Sequence, residues 1–323
     1  MTVIGLMTLG GTIAMRDRGD GARPADGPEE LLRNLGLADL GLEVAATEIC
    51  NRPSGHLAIA DIYALLPRIR HAFASGARGL VITQGTDTLE ETAFILDLLL
   101  PHDKNVVVTG AMRPASHLAP DGPANLRNAL LAASRPELAG LGVLVAMNDC
   151  LFAARDVTKG HSQRADSFRS RDGAVVGVVE EGSVQIICRP APLPTLPLPD
   201  RAEARVPILV AHLGDDGMAA RILGTSGIDG LVIEGFGGGR VSPGLADALG
   251  ELAAVMPVVV ATRCTEGATN RATYGYAGGE MDLRRRGVIH AGSLAGVKAR
   301  AALAVLLDGG AGMAEIRAFF RDL

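Results

Sequence analysis

Two short stretches carry residue types that could do chemistry: Gly10-Gly11-Thr12 near the N-terminus, and Gln84-Gly85-Thr86-Asp87-Thr88. Each sets hydroxyls beside glycines, and the second adds a carboxylate. A threonine hydroxyl is a weak nucleophile that needs a neighbouring base. Lys159, in Arg155-Asp156-Val157-Thr158-Lys159-Gly160, could serve Thr86 that way if partly desolvated. Ser54, in Arg52-Pro53-Ser54-Gly55-His56, could hydrogen-bond a carboxylate. Each residue also has a plainer use: Thr12 as a turn cap, Ser54 as a turn serine, Asp87 as a helix-start acid, Lys159 as a surface lysine. Residue types alone leave both uses open.

Other chemistries are excluded more firmly. The glycines match neither GxxxxGK[ST] nor GxGxxG, so no nucleotide site is expected. The seven histidines show no HxxxH or HxH spacing and the four cysteines no CxxC, so neither a metal nor another cofactor is expected. A GxSxG elbow is missing as well. Small buried cysteines, kept reduced in a cytoplasm, are the expectation for Cys50, Cys150, Cys188 and Cys264.

The elements that must position these residues follow from periodicity. Apolar runs at 3–9, 42–50, 79–84, 105–109 and 142–147 alternate with helical patterns near 28–36, 58–75, 88–100 and 123–134. Such alternation predicts an α/β fold, a doubly wound and mainly parallel sheet with helices on both faces. A hairpin at 174–179 and 184–188 closes this half. In the strand order 2-1-3-4-5 the first and third strands are neighbours, and ligands bind where the crevice opens between them. The Gly10-Gly11-Thr12 loop leaves strand one and the Gly85-Thr86-Asp87 loop leaves strand three, so the two converge on that crevice. Thr88 with Glu91 has capping-box spacing, which puts Thr86 and Asp87 at a helix N-terminus. Residues 15–27, charged and glycine-rich, read as a long irregular loop, either a lid or a solvent loop.

Residues 189–205 hold prolines at a density that continues neither sheet nor helix, and read as a semi-rigid linker between an N-terminal catalytic domain (1–188) and a smaller C-terminal α/β domain (206–323). In the latter, strands are expected near 206–211, 229–234 and 256–261, with helices near 215–224, 243–254, 293–307 and 312–321. The glycine run 235–239 suggests close packing, a subunit contact or a flexible loop. A chain of 323 residues is long enough for two cores. With net charge −5, no basic patch and no Trp, nucleic acid is a poor partner. No apolar run reaches transmembrane length, and the N-terminus reads as a first strand rather than a signal peptide.

Leu9-Gly10-Gly11-Thr12-Ile13-Ala14 and Gln84-Gly85-Thr86-Asp87-Thr88-Leu89-Glu90-Glu91-Thr92 resemble the two signatures of the bacterial-type L-asparaginase and glutaminase-asparaginase family. Thr109-Gly110-Ala111-Met112-Arg113, Asp121-Gly122-Pro123-Ala124-Asn125-Leu126, Arg155–Lys159 and Tyr274-Gly275-Tyr276 extend the resemblance over nearly the whole chain. The resemblance implies a cytoplasmic, cofactor-free asparaginase, a homotetramer built from intimate dimers with sites at the dimer interface. It assigns Thr12 as the nucleophile and Thr86, Asp87 and Lys159 as a second triad. Substrate contacts fall on Gly11, Ser54, Gly55, Gly85, Thr86, Asp87 and Ala111, with Ser54 on the α-carboxylate, Asp87 on the α-ammonium and backbone amides near Thr86 and Ala111 on the oxyanion. Glu280 matches an acid contributed across the dimer. The alternatives are a glutaminase-asparaginase of mixed specificity, a subunit feeding ammonia to another reaction, and a catalytically weak amino-acid-binding protein.

Three departures from the family pattern bear on substrate preference. The lid usually carries a tyrosine, whereas the first tyrosine here is Tyr63; Ser54 is followed by Gly55-His56 rather than Gln-Asp; and Gly238 stands where an asparagine is common.

Overall fold

A computed structural model describes residues 1–17 and 19–321, in two compact units, Met1–Thr195 and Leu196–Leu323. The first is built on an eight-stranded sheet in the order Ser183–Ile186, Gly177–Glu180, Cys150–Ala153, Leu144–Met147, Asn105–Thr109, Gly79–Thr83, Thr2–Thr8, Leu42–Glu48. From Leu144–Met147 to Leu42–Glu48 the strands pair in parallel, in the doubly wound order expected from the alternation of elements. The central strands Gly79–Thr83 and Asn105–Thr109 are buried throughout, which is why they read as unbroken apolar runs. Val81 and Val107 pack in one cluster with Leu126, Ala129 and Leu130 of helix Gly122–Ala133. Leu80, Ile82, Val106 and Val108, also buried, alternate onto the opposite face. Each such side chain contributes roughly 1.5–3 kcal/mol on burial.

Several local expectations change. The helical pattern at 58–75 divides at Ala64 into Ile59–Tyr63 and Leu65–Ala74. That at 28–36 stops at Leu32, ahead of left-handed Asn34 (φ 63°) and Gly36 (φ 62°). The strand Cys150–Ala153 was not anticipated. It turns back on Leu144–Met147 through Asn148 (φ 50°) and Asp149 (φ 61°), the pair of left-handed residues that a two-residue hairpin requires. The loop at 15–27 is an antiparallel hairpin, Met15–Asp17 with Ala22–Pro24. The Asp17 carboxylate accepts from Gly19 N (2.8 Å) and Gly21 N (3.2 Å) to close its turn; Arg18 lies outside the described residues. None of the cysteines is a core residue: Cys50, Cys150 and Cys188 are half-buried and Cys264, in a loop after a strand end, is exposed. Among the described residues no helix is long and apolar enough to cross a membrane.

Residues 187–207 form no helix or strand. The second unit holds a four-stranded parallel sheet, Ile208–Val210, Leu231–Gly235, Val258–Thr262, Ile289–Ala295. Its last strand and the helix Glu280–Arg285 were not anticipated. Ser293, Leu294 and Ala295 merge in sequence with the alanine-rich helix that begins at Gly296, so strand and helix read as one pattern.

His290, on that strand, is pushed down to about 4 by burial, with Arg284 adding to the effect and Glu280 opposing it. An unfolded histidine, near 6.5, therefore takes a proton that the folded one refuses. The stability this group protects is complete above about pH 6.5 and is lost as pH falls toward 4. Urea titrations across that window should show a decline in which this residue accounts for up to about 1.4 kcal/mol per pH unit. His290→Gln should flatten it; an unchanged slope would show that His290 is not the group responsible.

Candidate active site

Parallel register brings three loops to one level. Thr8 pairs with Thr83 and Thr83 with Thr109, so Leu9–Thr12, Gln84–Thr88 and Gly110–Ala111 leave neighbouring strand ends side by side. Their glycines are spacers. Gly11 has φ 86°, and a Cβ there would lie 2.1 Å from the backbone nitrogen of Gly85. A Cβ on Gly85 would come within 2.8 Å of Ser54 Oγ, and one on Gly110 within 2.5 Å of the Gln84 carbonyl and 3.2 Å of Thr86 Cγ2. Gly11, Gly85, Ser54, Thr86 and the Gly110–Ala111 backbone are thus packed against one another, with half-buried Thr12 in the turn that follows Gly11. Ser54 is buried, while Gly55 and His56 beside it are exposed.

Lys159 is delivered from far along the chain by a short hairpin, Val157–Lys159 against Phe168–Ser170. Its ammonium donates to Thr86 Oγ1 (2.9 Å) and Asp87 Oδ1 (2.6 Å). The Lys159 side chain is 15% exposed and that of Asp87 78%, so the lysine is largely enclosed while the carboxylate stays open to solvent. An ion pair with one partner this exposed adds little to stability. Its consequence is positional.

Thr88 does not act as the expected cap. Its hydroxyl donates to the Ser54 carbonyl (3.1 Å) and accepts from Gln84 Nε2 (3.0 Å), which ties the Ser54 turn to the second loop instead.

Sequence reasoning missed the groups that hold this arrangement in place. Glu90, in the first turn of helix Leu89–Leu99, accepts the Lys159 backbone N–H (3.2 Å) and the Thr158 hydroxyl (3.4 Å) through Oε1. Asp121 accepts from Met112 N (3.0 Å) and Arg113 N (2.9 Å), and Asn125 donates to the Gly110 carbonyl (3.0 Å), so the third loop is pinned as well. Replacing Glu90 with Ala should lower kcat about tenfold with little change in KM, because it loosens the Lys159 strand by two hydrogen bonds worth about 1 kcal/mol each. Glu90→Gln, which keeps an acceptor, should restore most of the rate. Equal rates for wild type and Glu90→Ala would remove Glu90 from this role.

The hairpin at 15–24 is tied to the third loop: Ala115 N donates to the Met15 carbonyl (3.1 Å) and Asp17 N to Ser116 Oγ (3.0 Å). Arg16 Nε meets the buried Asp26 carboxylate at 2.6 Å. Tyr63 is buried in helix Ile59–Tyr63 and is no part of this hairpin.

Glu280 belongs to the second unit, fully buried at a helix start, where it accepts from the backbone N–H groups of Thr273 and Tyr274. Burial pushes its carboxyl up, but these amides and the Arg240 guanidinium together hold it below the usual carboxylate range. In the same unit the space a side chain at Gly238 would fill is taken by the Asn270 carboxamide, whose Oδ1 lies 2.3 Å from the ideal Cβ position.

An enclosed lysine bridging a threonine and an aspartate, beside a second threonine on a glycine turn, sits at the switch point of an α/β sheet. Comparison with known proteins gives the family. Residues 3–192 match the model of the asparaginase N-terminal domain, and residues 205–320 that of the glutaminase/asparaginase C-terminal domain. The chain is 38% identical to a probable L-asparaginase of Deinococcus radiodurans over 98% of its own length and 96% of that protein's. It is 34% identical to an L-asparaginase of Bacillus licheniformis, over 94% and 95%. The crystal structure of a probable cytoplasmic L-asparaginase from Campylobacter jejuni superimposes with a TM-score of 0.91, at 31% identity and with both chains fully covered. The chain belongs to the L-asparaginase family, and with it to the enzymes that hydrolyse amides.

Proposed function

We propose that the protein hydrolyses L-asparagine to L-aspartate and ammonia through an acyl-enzyme on Thr12. The observation that carries this reading is the contact of Lys159 Nζ with Thr86 Oγ1 and Asp87 Oδ1, beside the junction of Gly11 with Gly85. The Thr12 hydroxyl attacks the side-chain amide carbon. The C–N bond breaks, the nitrogen leaves as ammonia after taking up the hydroxyl proton, and an ester remains on Thr12. Water then attacks the ester, with Thr86 and Lys159 handling its proton. Backbone N–H groups at Thr86 and Ala111 receive the developing oxyanion. Ser54 takes the substrate α-carboxylate and Asp87 its α-ammonium, while Gly11, Gly55 and Gly85 supply close backbone. No cofactor enters the scheme.

In the same reading residues 15–27 close over Thr12, residues 189–205 link a catalytic to a C-terminal domain, and the protein is a cytoplasmic homotetramer of intimate dimers in which Glu280 reaches a neighbouring site. Light scattering of the purified protein tests the assembly. The chemistry is tested by ammonia release from L-asparagine, L-glutamine and D-asparagine, with wild type and Thr12→Ala side by side. Turnover of L-asparagine that disappears in the variant is expected, and comparable rates on L-glutamine would make the enzyme a glutaminase-asparaginase. Binding of asparagine with no ammonia release by well-folded wild type would replace the enzyme with a binding protein.

A further inference from the structure

Ser54 and Asp87, the groups given the two charges of the substrate head, stand on different loops, and one residue touches the mounting of both. Thr88 follows Asp87 directly in the chain, and its hydroxyl donates to the Ser54 carbonyl (3.1 Å). That carbonyl accepts twice. The bond from Leu57 N (3.1 Å) closes the short turn Ser54–His56 on itself, whereas the bond from Thr88 reaches across to the second loop. A hydroxyl has one proton to give, and Thr88 spends it on Ser54. It therefore accepts from Gln84, whose carboxamide presents Nε2 at 3.0 Å.

The root of this chain of bonds is fixed. Gln84 is fully buried, and its backbone N–H donates to the Thr109 carbonyl (3.0 Å). Its own carbonyl lies so close to Gly110 that a Cβ there would come within 2.5 Å of it. The far side of the Ser54 turn is braced separately: Arg52 N donates to the Leu9 carbonyl (3.0 Å), and the Arg52 guanidinium meets the Asp61 carboxylate at 2.7 Å.

A second observation is independent of these distances. Thr88 is the N-cap of helix Leu89–Leu99, where a threonine side chain ordinarily accepts a backbone N–H of the first turn. Here it makes no such bond. The hydroxyl forgoes the stabilisation its own helix offers and serves the link between Gln84 and Ser54, which the needs of the helix do not explain.

The carboxylate and the ammonium of an α-amino acid sit on one carbon, so the groups that receive them must keep one separation. We propose that Thr88 is the positioning residue for this head group: resting on the reading of Ser54 and Asp87 given above, it sets the span between them. The head group takes no part in the bond changes at the side-chain amide and is held alike in the ground and transition states. Loosening its grip therefore shows in KM rather than in kcat.

The test is the kinetics of asparagine hydrolysis, with calorimetric titration of L-aspartate, for wild type, Thr88→Val and Thr88→Ser. Valine keeps the shape and removes the link; it should raise KM and the aspartate Kd together by about tenfold and lower kcat by less than about threefold. Serine keeps the hydroxyl and should bring both constants back to within about twofold of wild type. Gln84→Met leaves the bond to Ser54 and removes only its anchor, so it should shift both constants in the same direction by a smaller factor, and it carries the test if Thr88→Val does not fold. Wild-type KM and Kd in the folded variants, a loss confined to kcat, or no recovery with serine would overturn the proposal alone. Wild type that neither releases ammonia nor binds aspartate would instead overturn the reading of the site on which it rests.

Discussion

Thr86→Val is expected to leave the protein folded and to lower kcat by roughly 10²–10⁴-fold, the usual contribution of a positioned proton-transfer group. Valine keeps the β-branched shape of this buried side chain and removes only the hydroxyl, so the packing of Thr86 Cγ2 toward Gly110 survives. The stability cost is limited to about 1 kcal/mol for one hydrogen bond, because Lys159 Nζ retains Asp87 Oδ1 at 2.6 Å. Ser54 and Asp87, the groups proposed to hold the two ends of the substrate, are untouched, so KM should move little. Initial rates over a range of asparagine concentrations, with a thermal melt of the same preparation, separate the two effects. A kcat near that of wild type would end the proton-handling role of Thr86, whatever the nucleophile.

What the sequence revealed and what it hid divide along physical lines. Gly79–Thr83 and Asn105–Thr109 were legible because strands buried on both faces must be apolar throughout. Gly10-Gly11 and Gly85 were legible as turns at strand ends, although their tightest function, letting the two backbones touch, depends on the Thr8–Thr83 register. Lys159 stood out by type and by its resemblance to a family motif, yet spacing could not place it. It lies 73 residues from Thr86, and the hairpin that brings it back has strands of only three residues, too short for a periodic signal. Glu90 was hidden for the opposite reason: an acid in the first turn of a helix already has a sufficient local explanation. The Asn148-Asp149 turn was missed because it lacks the glycine that usually announces a hairpin, though asparagine and aspartate are the next residues to tolerate left-handed backbone.

The second large effect is expected from Lys159→Met, and its value lies in combination with the first. Methionine fills much of the space of the lysine stem and removes the charge. Because the Asp87 side chain is 78% exposed, losing its partner strands no buried carboxylate, and the fold should hold. The rate should fall by roughly 10²–10⁴-fold, as for Thr86→Val. If Lys159 acts through Thr86, the lysine has no further work once the hydroxyl is gone. The double variant should then be about as slow as either single one, since residues that act as a unit are strongly non-additive. Losses that multiply instead would mean that Lys159 serves the reaction by another route, as the cation that sets the position of Asp87. Comparing KM decides between these routes, because a lysine acting through Asp87 would weaken the grip on the α-ammonium group, whereas one acting through Thr86 would leave it intact.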